Sequence, residues 1–399
     1  VVEQRVDKSI LNAWICDPAG GGNVAREMTV VVGGGVIGLL TAYKLAAAGT
    51  SVTLVEASGT GTEASWAGGG ILSPMYPWRY PAAVNVLAQS AKTEYLRWNA
   101  KLQPDTGIDF QIHETGMLIF DESDFDIGLN FAEQFQQPMQ QAKHLHSAEL
   151  HQLNPHISAQ FQQAIYFPQL ANVRNPRLLQ SILCYLKQHP RVQLFEHCPI
   201  ERLELHGQQV RAIVDQAGQR YQADDYVLTT GAWSARWAEQ LDVQIPVRPV
   251  HGQMVLFKTP ENWLPTMCMN QVMYLIPRQD GHIVCGSSMA EQGFDTRLNT
   301  DTTAHILEAS YAMVPALKDL PIVKQWAGLR PGSPDGGIPY IGLMPEFDNL
   351  WANFGHFRNG LCMAPASARL LRQLLLGQTP DVSPEAYSPA RLQRAALAS

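Results

Sequence analysis

The sequence predicts an α/β fold: a dinucleotide-binding strand–turn–helix–strand unit (Rossmann-like, GxGxxG) joined to a second, mainly antiparallel β-sheet. Three observations predict it. A glycine-rich turn lies between two short β-branched runs near the start of the chain, and two later strand-to-helix junctions are built from small residues. Residues 248–257 and 273–277 have the composition of ordinary strands. The chain has 399 residues, of which 46% are hydrophobic and 16% charged, so it is long enough for two domains and too apolar for disorder. Its net charge of −7 argues against nucleic acid and anionic membrane surfaces as partners.

Residues 1–27 lack the cationic start and apolar core of a secretory signal. They end in a Gly-rich hinge before Met28, and are read as an N-terminal extension outside the fold. Thr29 to Val32 form a short β-branched run, the pattern of a strand buried on both faces. The turn Gly33-Gly34-Gly35-Val36-Ile37-Gly38 follows, then a helical pattern closed by Gly49 and a second buried run, Ser51 to Val55, ending at Glu56. In such a unit Gly33 permits the sharp turn, Gly35 lets a pyrophosphate approach the backbone, and Gly38 lets helix and strand pack closely. The free N–H groups and positive end of the helix hold phosphates. Glu56, about 18 residues past Gly38, is placed to accept the hydroxyls of an adenosine ribose. This much does not distinguish FAD from NAD.

Two later segments favour flavin. YVLTTGAWS, at 226–234, is a buried strand ending in a small-residue turn, where Gly231 and Ala232 let the chain pass close to a cofactor. LWANFGHFRNGL, at 350–361, is a strand ending in Gly355, with a helix beginning near Gly360. That helix start aims backbone donors and a positive dipole at whatever precedes it, which suits the anionic pyrimidine end of a reduced flavin.

Six cysteines, at 16, 184, 198, 268, 285 and 362, include no C-x-x-C pair, so reduced thiols in a cytoplasmic protein are expected and zinc or iron–sulfur chemistry is not. No apolar run approaches the roughly 20 residues that cross a bilayer. His144, His146 and His151 fall in a Gln-rich stretch, 134–163, that reads as solvated surface helices. The Pro-containing tail after Gln378 reads as loosely packed.

EASWAGGGILSPMYPWRY (63–80), AGLRPGSPDGGIPYIG (327–342) and GHFRNGLCMAPA (355–366), together with the N-terminal unit, resemble the D-amino-acid oxidase family of flavoproteins, in its glycine-oxidising branch. The resemblance covers residues 28–377. It implies noncovalent FAD extended across the first domain. Val36, Ile37, Glu56, Ala57 and Val173 would meet the ADP half. Ala64, Ser65, Gly69, Gly70 and Ile71 would line the pyrophosphate and flavin edge, and His356, Phe357, Arg358, Asn359, Gly360, Leu361 and Cys362 would stand beside the ring. It further implies that Arg330 grips a substrate carboxylate, with Tyr274 adding a hydrogen bond, Arg358 a second positive charge and Met289 a piece of wall. A guanidinium pairing two-pronged with a carboxylate agrees with that role. By themselves, Tyr274 reads as a strand tyrosine and Met289 as core. Val272 stands where some family members have a histidine, so a more apolar pocket mouth is expected.

The implied reaction passes a hydride from the Cα of glycine, or of a similar small amine or D-amino acid, directly to the flavin, with no obligatory side-chain base. The imine gives a 2-oxo acid and ammonia or feeds thiazole formation for thiamine, and O2 becomes H2O2. An amine dehydrogenase feeding a quinone shares every motif. An NAD-dependent enzyme shares only the first unit, and a noncatalytic or RNA-modifying flavin module leaves the arginines unexplained. The expected division is discontinuous: 28–85, 145–245 and 325–390 in the FAD-binding domain, 86–144 and 246–324 in the substrate domain, and 391–399 as a tail. A homo-oligomer is expected by resemblance.

Overall fold

Val30 and Val31 are wholly buried, and the strand they belong to stands at the centre of the first sheet. A computed structural model describes residues 27–134 and 141–392. The expected N-terminal extension, apart from Glu27, and the end of the tail lie outside the described residues. The described strands, β1 to β17 in chain order, form three sheets.

The first sheet holds β1 (Met28–Val32), β2 (Ser51–Val55), β6 (Val192–Phe195), β10 (Asp225–Leu228), β16 (Tyr340–Leu343) and β17 (Leu350–Phe354), in the order β16-β17-β10-β1-β2-β6. All its neighbours pair in parallel except β16 and β17. Parallel strands are buried on both faces. Here the helices Val36–Ala47, Ala91–Thr106, Asn175–Gln188 and Gly360–Leu375 contribute to the core on one side. A three-stranded sheet of β7 (Ile200–His206), β8 (Gln209–Asp215) and β9 (Arg220–Tyr221) contributes to the other. Because β2 and β10 flank β1 on opposite sides, the crevice above its C-terminal end is where open α/β sheets bind ligands.

The second sheet has eight strands: β15 (Ile322–Gly332), β11 (Arg248–Lys258), β14 (His282–Gly286), β13 (Tyr274–Pro277), β12 (Met267–Met269), β3 (Met117–Ile119), β5 (Gln163–Phe167) and β4 (Lys143–His146), in that order. Only the β12–β3 pairing is parallel. The helix Thr300–Met313 packs against it, its start capped by the Asn299 side chain accepting from the Thr302 N–H.

The sheets distribute the chain differently from the expected segments at three places. β4 and β5 belong to the second sheet, β15 joins it from Ile322 onward, and the helix Ala91–Thr106 packs against the helices of the first. The Gln-rich stretch is not all helix either. In β4, Leu145 is buried while His144 and His146 face out, a period of two, and His144 Nε2 meets Gln163 Oε1 across the pair at 3.0 Å. The tail is docked. Tyr387 is 2% exposed and its hydroxyl donates to Ala83 O at 2.8 Å, while Arg391 donates to Pro339 O at 2.9 Å. Prolines blocked regular structure there without preventing apolar side chains from finding the core.

Candidate active site

The nucleotide end is set by backbone contacts around the first turn. Gly33 has φ +108° and donates to Val55 O at 2.8 Å; a Cβ there would come within 2.5 Å of Thr229 O. Only glycine holds that conformation without strain. A Cβ on Gly38 would overlap the Gly33 carbonyl, so this glycine lets the helix sit directly on the turn. The Glu56 carboxylate accepts from Gly34 N–H at 2.6 Å and from Ser58 N–H at 2.8 Å, and the Ser65 hydroxyl accepts from Val36 N–H at 2.9 Å.

One continuous cavity runs from this turn to the face of the second sheet. It is lined by Gly33, Gly35, Val36, Ile37, Glu56 and Ala57 at one end, then by Ala64, Ser65, Gly69, Gly70, Ile71 and Gly231. His356, Phe357, Arg358, Asn359, Gly360, Leu361 and Cys362 follow, and Tyr274 and Arg330 close the far end. Residues spread over the whole length of the sequence thus meet along a single cleft.

Three expected positions do not line it. Gly38 lies beneath the turn for the packing reason just given. Val173 is 0% exposed and packs into the core, its carbonyl accepting from Arg278. Beside Glu56 the cavity instead meets Cys198 and Ile200, where the chain enters β7, and the Cys198 N–H donates to Glu56 O at 2.9 Å. Met289 is 58% exposed and does not line the cavity, although Ser287, two residues earlier, does. Val272 is 50% exposed in the turn before β13 and does not line the cavity, so the polarity of the mouth is not set there. Sequence reading missed Ile200, Gly252, Met254 and Ser287. Gly252, the lone glycine inside an otherwise bulky strand, is the one of these that the sequence could have flagged.

At the far end, Arg330 on β15 lies opposite Val250 of β11. Its Nη1 donates to His251 O at 3.3 Å and Ser288 O at 3.2 Å, and Nη2 donates to Ser287 Oγ at 2.6 Å. A Cβ on Gly252 would overlap the guanidinium, so the group lies flat on that glycine. These partners are all neutral, and no carboxylate pairs with Arg330 among the described residues. Burial pulls its pKa below the usual arginine range; the nearby Tyr274 opposes this and Arg358 adds to it. A cation in that state is stabilised by an anionic ligand. Tyr274 is 8% exposed on β13, in register with Gly286, and its hydroxyl meets Met254 Sδ at 3.5 Å.

Between the two ends, β17 runs out at Gly355, φ +83°, and the helix Gly360–Leu375 begins at the cavity. Its first-turn N–H groups have no partner within the helix. The neighbouring side chains are held neutral. Burial takes the His356 pKa down to about 3, and its Nε2 meets Ser367 Oγ at 3.1 Å. Burial pushes the Cys362 thiol up to about 12, and it donates to Asn359 O at 3.2 Å. Asn353 Oδ1 and Asn359 Nδ2 are buried without partners, and both residues line the cavity. Phosphate-binding backbone at one end, unsatisfied amides in the middle and an unpaired guanidinium at the far end fit a dinucleotide with a small acid beside it.

This architecture defines a dinucleotide-dependent oxidoreductase, in which a nucleotide-binding crevice opens onto a cationic niche. The chain belongs to the FAD dependent oxidoreductase family, whose model matches residues 28–374, and FAD is its cofactor. It is 44% identical to glycine oxidase of Pseudomonas aeruginosa over 91% of this chain and 99% of that one. It is 30% identical to the bifunctional protein ThiO/ThiG of Trichormus variabilis, over 92% of this chain and 55% of that one. The crystal structure of glycine oxidase from Geobacillus kaustophilus superposes with a TM-score of 0.84 at 24% identity, covering 92% of this chain and 99% of that one.

Proposed function

We propose that this chain is an oxidase of glycine or a similarly small amine or D-amino acid, producing an imine and hydrogen peroxide. The imine hydrolyses to glyoxylate, or another 2-oxo acid, and ammonia, or is diverted to thiazole formation for thiamine, in keeping with the relatives' names. The observation that carries the reading is Arg330, a buried guanidinium facing the cavity with only neutral partners.

FAD, when bound, supplies the two-electron acceptor for the substrate's Cα–H and returns those electrons to oxygen. Everything else falls to this chain's residues. Glu56 would accept hydrogen bonds from the ribose hydroxyls of the cofactor, and the helix starting at Val36 would meet its phosphates. Gly69, Gly70 and the helix starting at Gly360 line the part of the cavity that would hold the flavin ring. Arg330 pairs two-pronged with the substrate carboxylate, the Tyr274 hydroxyl donates to the same group, and Arg358 adds a second positive charge near Arg330. Holding the carboxylate at two points fixes the direction of Cα, which is what positioning contributes to rate. His356 is buried against Ser367 with its pKa brought down to about 3, so it is a poor base for the substrate amine. The Cys362 thiol, held protonated by burial, is a poor nucleophile, which supports noncovalent attachment.

Among the described residues no helix is long and apolar enough to cross a membrane. A homo-oligomer in the cytoplasm is part of the proposal, and light scattering of the purified protein tests its assembly. The central experiment is a peroxide assay over glycine, sarcosine, D-alanine and D-proline, with Arg330→Ala alongside. Peroxide from at least one of them, with kcat/KM lowered in the variant at unchanged flavin content, is the expected result. Dye reduction with negligible oxygen uptake would replace the oxidase by a dehydrogenase.

A further inference from the structure

Arg278 directly follows the strand that carries Tyr274, and the chemistry above assigns it nothing. Along an extended strand alternate residues share a face. Tyr274, Ile276 and Arg278 do so: the first two pack on Gly69, and Arg278 reaches both Gly69 and Gly70 at the cavity wall. A Cβ on Gly69 would come within 2.8 Å of Ile276 Cδ1 and 3.1 Å of Tyr274 Cε2. Arg278 Nη2 donates to Gly69 O at 2.8 Å, while Nη1 donates to Val173 O at 2.8 Å and Asn172 Oδ1 at 2.7 Å. Gly70 is closed in from behind as well: its φ is +80°, and a Cβ there would overlap the Val173 carbonyl that Arg278 holds.

The arginine is 8% exposed and does not itself line the cavity. All three of its hydrogen-bond acceptors are neutral. Burial first, then the neighbouring charge of Arg174, brings its pKa down to about 10, against the opposing pull of Asp280. A buried cation held only by neutral acceptors is a costly way to stabilise a fold. A planar group that grips two carbonyls from separate segments is, however, an effective way to fix their relative position.

We propose that Arg278 is a positioning residue of the flavin site: it clamps the Gly69 and Val173 carbonyls and so fixes the Gly69–Gly70 segment between the cofactor and Tyr274. The proposal rests on the reading of this cavity as the FAD cleft. It makes one strand responsible for two alignments, since the segment that borders the cofactor packs directly on the tyrosine assigned to the substrate carboxylate.

The test compares holoenzyme carrying Arg278→Met or Arg278→Lys with the unaltered protein, by FAD released on dilution and by the visible flavin spectrum. Methionine keeps length and loses every donor; lysine keeps the charge and can still reach one carbonyl. Arg278→Met is expected to hold FAD at least about tenfold more weakly, about 1.4 kcal/mol, with shifted flavin bands, and Arg278→Lys to recover most of both. Unaltered FAD retention and spectrum in the methionine variant overturn the proposal, as does a lysine variant no better than the methionine one. Should Arg278→Met fail to fold, Arg278→Gln decides, because it is neutral and too short to hold both carbonyls: weaker FAD retention supports the clamp, and unaltered retention overturns it. An unaltered protein that holds no FAD overturns the cofactor reading and the clamp together, and is recognised because it needs no substitution.

Discussion

Arg330 and the glycine beneath it form the smallest unit of the site, and each predicts a different failure. Removing the guanidinium in Arg330→Ala deletes the charge-assisted pair proposed with the substrate carboxylate, worth about 2–4 kcal/mol. The expected loss in kcat/KM is about 30-fold to 1,000-fold, with the flavin spectrum unchanged; steady-state kinetics on the best substrate check it, and an unchanged kcat/KM removes Arg330 from the site. In Gly252→Ala the new methyl meets the far end of a flexible side chain, so the guanidinium moves and the fold does not. Folding and FAD content are expected to stay near normal while kcat/KM falls about tenfold or more, about 1.4 kcal/mol of lost alignment. A variant as active as the parent would show that the arginine need not lie flat.

His356 makes the third prediction at this scale. Its pKa is about 3 in the folded chain against 6.5 for an ordinary histidine, so between those values the unfolded chain takes up a proton that the folded chain refuses. Stability from keeping this ring neutral is complete above pH 6.5. It is lost on acidification toward pH 3, at up to about 1.4 kcal/mol per pH unit. Urea unfolding at pH 7 and pH 5 is expected to show a smaller acid loss in His356→Asn than in the parent; equal losses would mean that the histidine is not buried neutral. Arg330 and Glu56 could be singled out from sequence because motif and residue type agreed. The exposure of Met289 and the burial of Val173 could not, because both depend on which way a loop turns after its strand ends.

At the level of elements, the first βαβ unit was legible almost completely. Short β-branched runs, three spaced glycines and an acid after the second run each have a local physical cause, and local causes can be read from local sequence. The same logic predicts that Gly38→Ala breaks the unit. Its methyl would overlap backbone, the Gly33 carbonyl, which cannot swing aside as a side chain does. A stability loss of about 2 kcal/mol or more and loss of bound FAD are expected, read by thermal melting and by the yellow colour of the purified protein; an unaffected variant would overturn the packing role of Gly38. β4 was harder to foresee. Four residues alternating Lys, His, Leu, His suit a strand only if a partner edge is waiting, and that edge is β5, nearly 20 residues further on.

Across the whole molecule, the tail joins the core of the first sheet's helices by Tyr387, which packs into the same cluster as Leu39, Tyr95 and Leu371. Tyr387→Ala leaves a cavity there and is expected to cost about 3–5 kcal/mol, seen as a lower denaturant midpoint. A loss below about 1 kcal/mol would mean that the tail merely rests on the surface. The sequence by itself determined the nucleotide-binding unit and the FAD-linked class, and the resemblance singled out Arg330, Arg358 and Tyr274. Those follow from backbone chemistry at glycines and from motifs that occupy a few adjacent residues. Only the tertiary structure decided which sheet each short strand joins, which side chains face the cavity, and that Ile200, Gly252 and Arg278 stand next to it. The physical reason is that a strand's partner and a side chain's direction are settled by burial against segments far away in the chain, and no local pattern records that competition.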